Sequence, residues 1–117
     1  MINTQVIKSD FIVKNYTTAF VLNQHDKGIM YRCKLFENNE EYTINSSDLI
    51  YIEWKRADGE TFKQTAGITK GANYIDFSIQ EFVTGAAGIG IFNVICENGD
   101  TRKGTLKREY EVIATSI

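Results

Sequence analysis

The sequence predicts an all-β protein, a two-sheet sandwich of about seven or eight short strands. Three observations carry that prediction. Apolar and polar residues alternate with period two in three separate stretches, the repeat of a strand with one buried face. The turn-forming pairs Asp58-Gly59 and Asn98-Gly99 lie between such stretches. The chain has no proline and no low-complexity linker, and its 117 residues suit one domain with a single core.

In chain order, residues 7–13 and 16–23 are rich in Val, Ile, Thr, Tyr and Phe, which favour pleated surfaces. The first clear alternation sets Ile29, Tyr31, Cys33 and Leu35 against Met30, Arg32 and Lys34. The second sets Ile50, Ile52 and Trp54 against Tyr51, Glu53 and Lys55, and the third sets Ile75, Phe77 and Ile79 against Asp76 and Ser78. Residues 37–41, 45–48 and 69–73 read as polar loops, and residues 80–84 as one helical turn with Phe82 plugging the core. Residues 89–96 form a nearly continuous apolar run, expected of a strand covered on both faces. Residues 105–113 close the pattern, with Leu106, Tyr110 and Val112 opposed by Lys107, Glu109 and Glu111.

Turn chemistry permits some register arithmetic. Asp58-Gly59 and Asn98-Gly99 both suit two-residue hairpin turns. A regular turn at Asn98-Gly99 pairs Glu97 with Asp100 and Ile91 with Leu106. One extra residue, with Gly104 as the natural bulge, places Phe92 opposite Leu106 instead. Both registers fit the sequence.

Composition narrows the function. Hydrophobic residues are 43% and charged residues 24% of the chain, a globular mixture able to offset the entropy of ordering. The 13 basic and 15 acidic side chains leave a formal net charge of -2, so no strong field favours nucleic acid or an anionic membrane. Residues 1–10 lack the pattern of a signal peptide, and no apolar run reaches the ~20 residues of a membrane span. The expectation is a chain folded in a cytoplasm, with Cys33 and Cys96 reduced and buried.

The residues point to no catalytic, cofactor or metal site. His25 lies in a polar stretch, residues 23–28, that reads as an exposed turn, whereas nucleophilic catalysis needs a base held beside its nucleophile. Cys33 and Cys96 sit in apolar strand patterns, where a thiol is a small hydrophobe, and one histidine cannot complete a Cys/His zinc site with them. Glu40, Glu41, Asp48, Asp58 and Glu60 fall in polar loops, where solubility explains them better than a glycosidase pair does. The stretch of residues 85–90, Gly-Ala-Ala-Gly-Ile-Gly, lacks the Lys-Ser/Thr of a phosphate loop and leads into a strand. The basic run of residues 102–108 reads as a solvated strand face answered by Glu109 and Glu111, without the aromatics of a nucleic-acid surface. Trp54 shares its face with Ile50 and Ile52 and reads as core. The order Cys33, Trp54, Cys96 echoes an immunoglobulin core, although Val94 stands where that core has its tyrosine.

Several local patterns together resemble one family. Asp26-Lys27-Gly28 precedes the alternating strand of residues 29–36, and Ser47-Asp48-Leu49 supplies a leucine-containing turn. Lys55-Arg56-Ala57-Asp58-Gly59 follows a Lys-x-x-Asp-Gly pattern, with Ala57 where the family usually has proline. A glycine, an apolar strand, the Asn98-Gly99 turn and a closing strand over residues 106–113 complete the likeness. Along nearly its whole length the chain resembles the N-terminal domain of the baseplate upper proteins of phages of Gram-positive bacteria. The resemblance implies an immunoglobulin-like β-sandwich over residues 1–117 that attaches receptor-binding or fibre components to the tail tip. It implies other baseplate and tail proteins as partners, a virion location after assembly in the host cytoplasm, and no catalytic residue.

A reading of a different class is a carbohydrate-binding module that touches cell-wall polysaccharide through Tyr42, Tyr51 and Tyr74. Tyrosines gathered on one solvent face favour sugar, whereas an exposed apolar patch or an open sheet edge favours docking. For docking, the expected contact is the N-terminal segment, residues 2–13. There Ile7, Phe11 and Val13 share a face with Gln5 and Ser9, a poorly specified buried face of the kind that pairs with a neighbour. Ile2, Val6, Ile7, Phe11 and Val13 are the expected partner-contact residues, reused in each copy of a homo-oligomer.

Overall fold

The computed structural model describes residues 5–115. Its strands are β1 (Gln5–Asp10), β2 (Thr18–Asn23), β3 (Met30–Glu37), β4 (Glu40–Glu41), β5 (Leu49–Lys55), β6 (Thr61–Gln64), β7 (Ile68–Lys70), β8 (Tyr74–Ser78), β9 (Gly88–Asn98), β10 (Thr101–Gly104) and β11 (Arg108–Ile113). A single 3-10 turn, Glu81–Thr84, joins β8 to β9. One sheet runs β1-β3-β8-β7, with β4 beside β3; the other runs β2-β11-β9-β5-β6, with β10 beside β9. Both are mixed, because β1 lies parallel to β3 and β2 parallel to β11, while every other pair is antiparallel. The expected all-β sandwich is what forms, with more strands than expected. Two of the additions come from segments read as polar loops, β4 within residues 37–41 and β7 overlapping residues 69–73, and a third, β10, is separated from β11 by residues 105–107.

Alternation sends one row from each strand into the space between the sheets. Tyr31, Cys33, Leu35, Ile75 and Phe77 enter from one side, and Ile50, Ile52, Trp54, Phe92 and Val94 from the other. Trp54 occupies the centre, its ring centroid 5.0 Å from Phe92, 5.4 Å from Tyr110 and 6.1 Å from Phe77. Its indole N–H donates to Gln64 Oε1 at 3.0 Å. Gln64 in turn donates to the carbonyls of Ala66 and Ser78 at 3.0 and 3.1 Å. A buried amide is tolerated there because its polar groups are bonded, and through Ser78 it ties one sheet to the other.

Turns depart from the sequence reading in instructive ways. Asn98 pairs with Thr101, so the β9–β10 turn is Gly99-Asp100, one residue later than expected. Gly99 alone has positive φ (59°), the pattern of a type II′ turn. Farther along, Ile95 faces Gly104 but Phe92 faces Arg108, so neither expected register is adopted. The extra residue falls within 105–107. Thr105 fills the ladder with its hydroxyl, accepting the Val94 N–H at 2.9 Å, while Leu106 turns away and donates its N–H to the Asp10 carbonyl at 2.9 Å. At Asp58-Gly59 only Gly59 has positive φ, and Arg56 and Glu60 close a three-residue loop rather than a two-residue turn. Asn38 and Asn39 carry φ of 54° and 68°, which makes the β3–β4 connection a type I′ hairpin.

Burial corrects four further expectations. Val83, not Phe82, fills the core from the 3-10 turn; Phe82 stacks on Phe62 at 4.6 Å beneath Arg56. Strand β9 is covered on both faces only in part, since Ile89 is 50% exposed. Tyr51 points to the outer face yet is buried, covered by Lys63 and hydrogen-bonded to Glu97. The basic run is not uniformly solvated either: Arg108 is buried, and Arg102 and Lys103 pair with Glu53, Glu97 and Glu37 rather than with Glu109 or Glu111.

Candidate docking surface

Among the described residues strand β1 ends its sheet, with β3 on one side and no strand on the other. Ile7, Ser9 and Phe11 face inward and are buried. The apparent fault in this pattern, a serine among apolar residues, is satisfied by chemistry: Cys33 Sγ donates to Ser9 Oγ at 3.4 Å. Burial pushes the Cys33 thiol up to about 11, so it remains protonated at neutral pH. The buried face of β1 is therefore well specified, contrary to the sequence reading. Ile7 and Phe11 belong to the core and are not free contact residues. Val6 is 54% exposed and points outward, Val13 is half-buried, and Ile2 lies outside the described residues.

Asp10 anchors the end of this strand. Its carboxylate accepts backbone N–H groups from Ile12, Val13, Asn38 and Asn39 at 2.8 to 3.0 Å. Burial alone raises its pKa, but the four amides together outweigh that effect and hold it below the ordinary carboxylate value. One side chain thus fixes both the chain leaving β1 and the I′ hairpin after β3. The spacing of 28 and 29 residues to its amide partners leaves no local sequence signal.

Arg108 closes the other half of the edge. Its guanidinium donates to the Lys8 carbonyl through Nη1, and to Thr17 O and Oγ1 through Nη2 at 3.4 and 3.3 Å. Among the described residues its Nε has no partner and no carboxylate pairs with it, and burial pushes its pKa down. With Leu106 bonded to Asp10, the second sheet takes the outward carbonyls of Lys8 and Asp10. By the two-residue repeat, the backbone N–H and C=O of Val6 point the same way. That end of β1 is the open part of the edge, with the Val6 side chain exposed beside it.

The three tyrosines expected to carry a sugar site do not converge. Tyr42 packs on Phe11 with its hydroxyl 3.6 Å from Cys96 Sγ; Tyr51 is buried; Arg32 lies 3.8 Å over the Tyr74 ring. His25 sits exposed in a left-handed turn conformation (φ 74°). Cys33 and Cys96 are buried and unlinked. Asp48, read as a solubilising loop acid, is buried and accepts from the Asn45 N–H and the Asn98 side chain. In the glycine-rich stretch, a Cβ on Gly90 would lie 2.4 Å from the Tyr110 ring, so packing accounts for that glycine. Among the described residues, no group of three or more His, Cys, Asp or Glu is placed to hold a metal.

No family model and no curated protein sequence matches the chain. Among solved structures, the N-terminal domain of phage TP901-1 ORF48 shares the fold, with a TM-score of 0.68, 8% sequence identity, and 97% of this chain and 98% of that chain covered.

Proposed function

We propose that this chain is a structural domain of a phage tail baseplate, attaching receptor-binding or fibre components to the tail tip by protein–protein contact. The observation that carries the reading is a sandwich shared over nearly all of both chains with the N-terminal domain of a phage protein. The turn patterns around Asp26-Lys27-Gly28 and Lys55–Gly59, which resemble those of the baseplate upper proteins, support the same reading. The partners are other baseplate and tail proteins, the location is the virion, and no catalytic group takes part.

Contact with the neighbouring tail protein runs through the open end of β1, residues 5–7, and the segment before it that includes Ile2. An incoming strand there meets the free edge beside Val6 and needs no rearrangement of Ile7 or Phe11. Substituting Val6→Asp tests this in the full chain, because an exposed residue can change without loss of the fold. Phage carrying V6D should assemble tails that lack this chain or its fibres, with the purified variant as stable as the parent. Unimpaired incorporation of V6D into tails overturns the β1 contact.

A further inference from the structure

We infer that the outer face of the six-stranded sheet is a two-fold contact with a second copy of this chain, its axis running along β9 through Ile91. The register supplies the reason. Ile91 is flanked by Lys55 on β5 and by Glu109 on β11, so one row across the sheet reads cation, apolar residue, anion. In the next row Glu53 pairs with Asn93, and Lys107 lies across Asn93 from it in the bulge of residues 105–107. The order of charge is reversed there, with the anion on the β5 side. Strands β5 and β11 both run antiparallel to β9 and stand one strand spacing to either side of it.

A two-fold rotation about an axis parallel to β9, just above the sheet, exchanges left and right while keeping each row level. It therefore places Glu109 of one copy over Lys55 of the other, and the reverse. The same operation sets Lys107 over Glu53. Opposite charges meet in both rows with Ile91 on Ile91 between them, an isologous surface complementary to itself. Lys55 and Glu109 are both exposed and neither has an ion-pair partner among the described residues. Glu53 already accepts from Arg102, so the Lys55–Glu109 row carries the larger share.

Shape agrees with charge. A hollow of about 410 Å³ lies mainly over β5 and β6, lined by Lys55, Phe62 and Lys63, and reaches across β9 to Lys107. On the β11 side Tyr16 stands beside Ile91 and Glu109, 81% exposed. The two-fold carries each Tyr16 over the partner's hollow, which gives this aromatic a buried place it lacks in one copy. Exposed Ile89 and Val21 flank Glu111 in the adjoining row and extend the apolar part of the face.

The inference rests on the docking reading for its biological sense, but its test uses the isolated full chain and so separates the two. Sedimentation equilibrium should find a dimer for the parent chain. Lys55→Glu and Glu109→Lys should each weaken it by about tenfold or more, because each sets like charges face to face twice. Mixing K55E with E109K should restore a dimer of one copy of each, since every facing pair is then opposite in sign. The double variant K55E/E109K should dimerise with itself. A parent chain that stays monomeric at millimolar concentration, single variants that dimerise like the parent, or a mixture that fails to dimerise while circular dichroism shows folded sandwiches, each overturns the contact. Loss of the virion role with the dimer intact bears on the proposed function alone.

Discussion

Asp10 Oδ2 accepts the backbone N–H of Asn39 at 2.8 Å across 29 residues of sequence, and Oδ1 accepts that of Asn38 at 2.9 Å. Both asparagines have positive φ, so the hairpin that presents these amides depends on residue types that tolerate the left-handed region. The same carboxylate also caps the chain leaving β1 at Ile12 and Val13.

This arrangement makes stability depend on acid. The folded-state pKa of Asp10 is depressed, so its contribution is fully present above the ordinary value and is lost as pH falls through the depressed one. Asp10→Asn should therefore lower stability at neutral pH by about 1 kcal/mol, a figure kept small by the group's partial exposure. Thermal unfolding at pH 7 and near pH 3 checks it: the gap between parent and variant should shrink in acid. An equal gap at both pH values contradicts the assignment.

The centre of the core depends on Trp54 and its hydrogen bond to Gln64. Trp54→Ala should cost about 3–5 kcal/mol, the range for truncating a large buried aromatic. Gln64→Leu keeps most of the volume but leaves the indole N–H and two carbonyls unpaired, and should cost about 1–3 kcal/mol. Urea unfolding of both variants measures these values. A change below about 1 kcal/mol for W54A would place the indole at the surface and favour ligand binding.

Cys33 and Cys96 lie on opposite sheets, both buried and both free. Thiol titration should find two reactive groups after unfolding and slow reaction in the native state, because the nucleophile is the thiolate and burial keeps Cys33 neutral. A disulfide in the purified protein would contradict the structure.

What could be read from the sequence was what repeats locally. The alternations Ile50–Trp54 and Ile75–Ile79 bury the predicted row, and the first buries Tyr31, Cys33 and Leu35 but leaves Ile29 exposed just before β3, because period two depends only on neighbouring residues within a strand. The failures lie where a distant partner decides. Nothing near Leu106 announces that its N–H leaves the ladder for Asp10, so the bulge was misplaced and Arg108 was read as solvated. Ser9 looked like a fault in β1 until Cys33 supplied its hydrogen bond. Tyr51 was put on a wet face because the cover from Lys63 comes from a neighbouring strand. For the candidate surface, Ile7 and Phe11 were read as part of a poorly specified face free to pair with a neighbour only because the inner partners of β1 were invisible; both are core, whereas Val6 is exposed. The charge order around Ile91 needed the strand order itself, which joins residues 55, 91 and 109 into one row.

The most direct measurement of the central claim is electron microscopy of virions in which this chain carries a gold-binding tag at its C-terminus. Label should appear at the tail tip, in several symmetry-related positions around the tail axis. Label on the capsid or along the tail tube, or virions that contain none of this chain, would contradict it.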